Sequence, residues 1–216
     1  MTDDRLCIVP MKPLARAKAR LADVLSPDER RALSLAMLTD VVRAARTLER
    51  VWVLCSDDDA AATAEREGAQ ARPDPTPDGG LNASLDAATA DAVKDGMRAL
   101  LIVSADCPAA TPDDVRAMAL GRGVTLAPNR TGTGTNALWR MPPDAMPECY
   151  FGERSRQAHE SYARTHGIPF AIVARQRLAL DVDSPADLAT VFASGAGDAT
   201  RAALANLGYP QRATGR

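Results

Sequence analysis

Short runs of consecutive apolar residues alternate with helix-patterned segments along most of this chain. Leu6-Cys-Ile-Val-Pro10, Val51-Trp-Val-Leu-Cys55 and Ala99 to Ser104 are the clearest of these runs. Successive side chains of a strand point to opposite faces, so a run apolar at every position needs cover on both. The pattern predicts an α/β fold: a single domain on a mixed, mostly parallel sheet flanked by helices. The 216 residues suffice for one sizeable domain, and no internal repeat or low-complexity tract divides them. The reading places the domain at 1–208 and a flexible tail at 209–216.

Helix starts are written locally. Ser26-Pro27-Asp28-Glu29 is a capping box with Pro at the first helical position, and Leu33, Ala36, Met37, Val41 and Ala44 continue it as an apolar stripe. That predicts a helix over about residues 27–48. An Ala-rich helix stops near Gly68, a Pro/Asp/Gly loop covers Arg72 to Gly80, and residues 81–95 read as helical. Thr111-Pro-Asp-Asp114 opens another helix. Gly123–Ala127 and Asn136–Arg140 read as strands around a Gly/Thr turn. Met141 to Gly152 is too long and irregular for a simple turn and reads as a lid. Beyond it, the pattern predicts a helix from Ser155 to His166, a strand at Phe170–Val173, and a helix capped by Ser184-Pro185. A last helix from Asp198 to Leu207 is stopped by Gly208 and Pro210.

A formal net charge of -2 argues against a nucleic-acid binder. Four cysteines without a C-x-x-C pair, and two histidines, make a zinc site unpromising. Cys7 and Cys55 sit inside apolar runs and read as buried small hydrophobes. No secretory leader and no apolar stretch of about 18 residues is apparent, which predicts a soluble, reducing, cytoplasmic setting without membrane contact.

Chemistry-bearing residues cluster where apolar runs end, the end of an α/β sheet that binds ligands. After the first run, Lys12, Arg16, Lys18 and Arg20 put four cations in a short loop suited to a triphosphate. The same residues also read as a solvated helix face, and a Walker-type phosphate loop is absent. Gly79-Gly80-Leu81-Asn82 offers free N–H groups and an amide for a nucleoside, or an ordinary helix start. Asp106 follows the run that starts at Ala99, and Asp181 and Asp183 share one face of an extended segment. If the three converge, they suit Mg²⁺, which prefers carboxylates plus substrate phosphates. Gly132-Thr-Gly-Thr135-Asn136 and Phe151-Gly152-Glu-Arg154-Ser155-Arg156 combine hydroxyls, N–H groups and guanidiniums fit for a small phosphorylated acid. His159 and His166 read as surface or helix-end histidines.

Taken in this order, Pro10-x-Lys12-Pro-Leu-x-x-Ala-Lys18-x-Arg20-Leu21, Ser104-Ala-Asp106-Cys-Pro108, Gly132-Thr-Gly-Thr-Asn-Ala137, Phe151-Gly152-x-x-Ser155 and Asp181-Val-Asp183-Ser-Pro-x-Asp-Leu188 resemble the signatures of the CofC/FbiD family of phospho-acid guanylyltransferases. The family acts in biosynthesis of the deazaflavin coenzyme F(420). The resemblance runs from the first strand to about Val191. It implies a nucleotidyltransferase fold of the glycosyltransferase-A type. It implies GTP held by the Pro10 loop, Lys12, Lys18 and Arg20, with Gly80 and Asn82 near the nucleoside. It also implies Mg²⁺ on Asp106, Asp181 and Asp183, and the acceptor at Thr135, Gly152 and Ser155, with Arg154 and Arg156 beside it. Lys12, Lys18 and Asp106 would be the catalytic set. Family acceptors are 2-phospho-L-lactate, phosphoenolpyruvate and 3-phospho-D-glycerate.

This chain departs from the family in carrying Cys107 where Leu is common, and Arg154 and Arg156 around Ser155. The added arginines suit a longer or more polar acid, so 3-phosphoglycerate is expected as a competitive acceptor. The activated product implies hand-off to a downstream coenzyme-synthesis transferase, and a homodimer stays open. Rival readings are another nucleotidyltransferase of this architecture, such as a molybdopterin guanylyltransferase-like enzyme, and a non-catalytic GTP-binding protein. The first typically has a Gly-rich loop after the first strand, which Met11-Lys12-Pro13 lacks.

Overall fold

A computed structural model describes residues 4–209. Among them, one sheet is built from β1 (Arg5–Pro10), β2 (Arg50–Cys55), β3 (Gln70–Pro73), β4 (Ala99–Val103), β5 (Gly123–Pro128), β6 (Thr135–Met141) and β7 (Phe170–Ile172). Helices α1 (Pro27–Ala45), α2 (Asp58–Arg66), α3 (Gly80–Lys94), α4 (Pro112–Met118), α5 (Ser155–Thr165), α6 (Pro185–Ser194) and α7 (Asp198–Asn206) surround it. The strand order is β3-β2-β1-β4-β6-β5-β7. β1 pairs in parallel with β2 and β4, β2 with β3, and β5 with β7, while β6 runs antiparallel to β4 and β5.

Period-two alternation explains the double burial of the apolar runs. On one face Cys7, Val9, Val51, Val53, Leu101 and Val103 meet Leu38, Val41 and Val42 of α1 and Val115 of α4. On the other, Leu6, Ile8, Trp52, Leu54, Leu100 and Ile102 meet Leu85 and Ala88 of α3. A third cluster joins Leu21 and Leu25 of the loop after β1 to Leu180, Val182, Leu188 and Leu204. It draws the chain near residue 182 back over the end of β1 and so sets the site.

The structure corrects several expectations. Gln70–Pro73, part of it expected as loop, is an edge strand; Gln-Ala-Arg-Pro carries no apolar run to betray it, and an edge tolerates Pro. α1 ends at Ala45 rather than near residue 48. The 141–152 segment is fastened down rather than free to act as a lid: Met146 and Cys149 are buried, and Phe151 N–H donates to Asn82 Oδ1 at 2.8 Å. His159 lies in the interior, not at the surface. Of the tail, Pro210 and the residues after it lie outside the described residues, and Tyr209 is buried in the third cluster.

Gly197 shows why that cluster holds its shape. A Cβ there would meet Asp40 Cγ at 2.2 Å, because the α1 carboxylate sits directly against the start of α7. Asp40 accepts the N–H groups of Ala199 at 3.1 Å and Thr200 at 2.7 Å, satisfying donors that a helix start leaves unpaired.

Candidate active site at the carboxyl end of the sheet

β1 lies between β2 and β4, and the chain leaves β1 toward one side of the sheet and β4 toward the other. Loops that diverge at such a point open a crevice. The loop after β1 is tied down at both ends. Met11 N–H donates to Leu54 O at 2.8 Å, Leu14 N–H to Asp57 Oδ2 at 2.9 Å, and Leu14 and Leu21 are buried. Between its two 3-10 turns sits Lys18 with φ 53° and ψ 39°, a left-handed conformation that costs a side-chain-bearing residue about 1 kcal/mol. What offsets the cost is where the side chain goes.

Lys18 Nζ lies 2.7 Å from Asp106 Oδ2 and 3.3 Å from Asp183 Oδ1. Ser104 Oγ donates to the other Asp106 oxygen at 2.6 Å, and Val182 N–H donates to the Asp106 carbonyl at 3.0 Å. That last bond moors the 180–183 segment to the end of β4. Arg20 reaches Asp183 more loosely, at 3.8 Å from an exposed position. Burial alone would lower the Lys18 pKa, but the charges and hydrogen bonds of Asp106 and Asp183 win and raise it. Burial would likewise raise Asp106, and Lys18, Ser104 and the more distant Lys12 hold it below the usual carboxylate range. Both shifts describe one charged pair. Asp181 differs: burial pushes it up, the Asn136 amide partly opposes this, and the neighbouring Asp106 and Asp183 charges push it further.

Asp106 and Asp183 are thus linked through the Lys18 ammonium, and Asp181 lies near enough to feel both their charges. Among the described residues, however, no three carboxylate, thiol or imidazole groups stand arranged to hold a metal ion. The Lys18 ammonium lies between two of the three. Their chemistry still fits a hard divalent cation, since Asp181 faces two like charges that the Asn136 amide at 3.2 Å and a backbone N–H relieve only in part.

The glycines and Asn82 stand at the start of α3, at the same end of the sheet. Gly80 has φ 79° and is exposed. Asn82 acts as a strut: its Nδ2 donates to Phe151 O at 3.0 Å while its Oδ1 accepts from Phe151 N–H. Lys12 is exposed beyond the half-buried Pro10 that ends β1.

Of the residues expected at the acceptor, Arg154 and Arg156 share one cavity, while Thr135, Gly152 and Ser155 do not line it. Asn129 Oδ1 accepts the N–H groups of Thr133 at 3.2 Å and Gly134 at 2.9 Å, shaping the β5–β6 turn. Arg156 N–H donates to Thr133 O at 3.1 Å and its guanidinium to Gly132 O at 3.2 Å, docking the start of α5 onto that turn. Arg154, at φ 57°, is the second side-chain-bearing residue in the left-handed region. A cavity of about 330 Å³ results, lined by Gly132, Thr133, Arg154, Arg156, Gln157 and Glu160. Gly152, with φ 133°, and the buried Ser155 lie beside Arg154.

Three residues named in the sequence take roles here that it did not assign to them. Asn136 donates to Leu178 O at 2.9 Å and Asp181 Oδ1 at 3.2 Å, linking β6 to the carboxylates. Asp187 completes a capping box with Ser184 and pairs with Arg130 at 2.6 Å, fixing the chain just after Asp183. His159 bonds Thr135. An amide in a mostly apolar strand was the legible signal for Asn136, and the Ser184-Pro-Ala-Asp187 spacing that for the Asp187 cap; the Arg130 pair and the His159 contact depend on residues distant in sequence.

A family model described as guanylyl transferase, CofC like, matches residues 5–214. The chain belongs to this family. Among curated relatives of the CofC-like chain, the phosphoenolpyruvate guanylyltransferase of Sphaerobacter thermophilus is 41% identical over 189 residues, covering 85% of this chain and 90% of its own. That of Rubrobacter xylanophilus is 39% identical over 195 residues, covering 87% and 93%. Among solved structures, a putative nucleotide-diphospho-sugar transferase from Desulfovibrio desulfuricans G20 superposes with a TM-score of 0.75 at 15% identity, over 95% of both chains. A nucleotidyl transferase from Methanothermobacter thermautotroptrophicus gives 0.60 at 14%, over 87% of this chain and 95% of its own. At such identities these two speak to the fold, which is the nucleotidyltransferase architecture expected. The CofC-like chain is therefore an enzyme of guanylyl transfer. No helix among its described residues is long and apolar enough to cross a membrane.

Proposed function

We propose that this guanylyltransferase moves GMP from GTP to the phosphate of a small phosphorylated acid, with phosphoenolpyruvate the first candidate. The observation that carries the reading is the Lys18–Asp106–Asp183 group, its Lys18 largely buried, at the point where β1 and β4 diverge, with the neighbouring Asp181 tied through Asn136 to β6 and so to the β5–β6 turn beside the arginine-lined cavity. The names of the relatives in Sphaerobacter and Rubrobacter support the acceptor.

In this reading Lys12, Lys18 and Arg20 hold the triphosphate, and the start of α3 receives the nucleoside. Asp106, Asp181 and Asp183 would hold Mg²⁺, which would supply neutralisation of phosphate charge and Lewis-acid polarisation there. Thr135, Gly152, Ser155, Arg154 and Arg156 hold the acceptor. An oxygen of the acceptor phosphate attacks the α-phosphorus, the bond to the β-phosphate bridging oxygen breaks, and pyrophosphate leaves. The nucleophile is already anionic, so no general base is required, and positioning with charge neutralisation suffices. The product is a phosphoanhydride, activated for a later transferase that displaces GMP. That suits the cytoplasmic assembly of a coenzyme such as F(420).

Arg154 and Arg156 favour a second acceptor, 3-phosphoglycerate, whose carboxylate stands further from its phosphate and needs a partner of its own. The test is pyrophosphate release from GTP with Mg²⁺ and each of phosphoenolpyruvate, 3-phosphoglycerate and 2-phospholactate in parallel. Release that requires an acceptor and stops in EDTA upholds the reading. GTP binding without release from any of them overturns it in favour of a binding protein.

A further inference from the structure

Thr135, the first residue of β6, is buried, and its hydroxyl meets His159 Nδ1 at 3.1 Å. His159 projects from α5 one turn beyond Ser155 and is fully enclosed. Its ring lies edge-on to Tyr150 and Phe151, with centroids 5.8 and 5.3 Å away. The other ring nitrogen, Nε2, accepts the Tyr150 N–H at 3.2 Å.

These contacts determine where the protons are. A backbone N–H can only donate, so Nε2 must carry a lone pair. Burial, together with the Arg140 charge, moves the ring's pKa down to about 4, with only a backbone bond to Ser155 opposing, so the ring is neutral near pH 7. A neutral ring with a bare Nε2 carries its proton on Nδ1. Thr135 Oγ1 then cannot donate to the ring, whose Nδ1 proton it shares with the Ser155 backbone, and its own proton must point elsewhere. Among the described residues that hydroxyl has no other partner. A buried donor left without an acceptor is costly, and here it stands beside the turn that lines the cavity.

We propose that His159 is a positioning residue that orients the Thr135 hydroxyl as a donor toward the acceptor's phosphate. The assignment rests on the reading of Thr135 as an acceptor ligand. Ammonium and guanidinium groups supply charge from several directions; a hydroxyl of fixed polarity supplies direction, accepting from the ring and donating to the anion.

Two measurements test it. In the free protein, ring nitrogen chemical shifts by NMR should show His159 protonated on Nδ1 from pH 6 to 8, an outcome independent of any substrate. A ring protonated on Nε2 sinks the proposal. In steady-state kinetics, Thr135→Val and His159→Phe should each raise the acceptor KM about tenfold, with the KM for GTP unchanged. The double variant should be no worse than either alone, because both remove one oriented bond. Thr135→Ser should restore the KM. His159→Asn, which keeps a donor at the Nδ1 position, should stay within about threefold of the parent and serves if the Phe variant fails to fold. Independent, multiplying losses, or a KM for GTP that rises in step, would reduce His159 to a packing residue. If the parent uses no phosphorylated acid although the ring is protonated on Nδ1, the acceptor reading itself falls and takes this proposal with it.

Discussion

Lys18 and Asp106 are 88 residues apart in the chain and 2.7 Å apart in space. The ammonium is buried to the point that only 9% of the side chain is exposed, and it holds a backbone conformation that lysine disfavours. A contact maintained against burial and backbone preference together marks a site where geometry matters more than stability.

Replacing Asp106 with Asn should therefore separate function from fold. The amide keeps the shape and its one oxygen can still accept from Lys18, while its NH2 can only donate to the Ser104 hydroxyl, so the charge and one acceptor are removed. Turnover should fall about a thousandfold while the circular dichroism spectrum is retained, since Asp183 still pairs with Lys18. Near-normal turnover would show that the carboxylate is not part of the reaction.

Asn82 offers a decision between two roles. As the strut seen here, its loss in Asn82→Ala leaves the Phe151 backbone groups without their partners and should lower stability by about 1–3 kcal/mol. It should also raise the acceptor KM, because Phe151 precedes Gly152. If the residue reads the nucleoside instead, the KM for GTP is the one that rises.

Arg154 is exposed at the cavity mouth and Arg156 anchors the facing turn. Arg154→Ala should weaken 3-phosphoglycerate about tenfold more than phosphoenolpyruvate in kcat/KM. Equal losses for the two acids would remove Arg154 from acceptor selection.

Gly197→Ala forces a methyl group into the Asp40 carboxylate and should destabilise by about 1–3 kcal/mol in urea unfolding. Asp40→Ala frees two N–H groups at the start of α7 and should cost about 1–2 kcal/mol. An unchanged midpoint in either variant would mean that α7 is not held through this contact.

His159 should leave a mark on acid stability. Its folded pKa is depressed to about 4 against an ordinary 6.5, so the unfolded state takes up the proton first. Above pH 6.5 both states are neutral and the residue contributes no pH dependence. As the pH falls from 6.5 to about 4, stability should drop by about 3 kcal/mol on this account alone. Urea midpoints for the parent should fall more steeply through that window than those for His159→Asn, and parallel slopes would mean that the ring titrates normally.

How much of this was legible beforehand divides by the range of the forces involved. Ser26, Thr111 and Ser184 announced their helices because a capping box closes within four residues, and all three boxes are present. The apolar runs announced β1, β2 and β4 because burial on both faces needs every position to be apolar. β3 escaped notice because an edge strand is held mainly by backbone bonds to one neighbour.

From the sequence alone one can read that cations follow β1 and carboxylates follow β4, and hence that a charged crevice exists at that end of the sheet. Tertiary structure alone decided that Lys18 lies between Asp106 and Asp183, that Asn82 braces Phe151, and that His159 is an interior ring turned toward Thr135. The physical reason is that each of these contacts joins segments brought together by packing. The cluster of Leu21, Leu25, Leu180 and Val182 closes the first, and the seating of α3 and α5 on opposite stretches of the sheet arranges the others. No local pattern encodes such a meeting, because the free energy that enforces it belongs to the whole core.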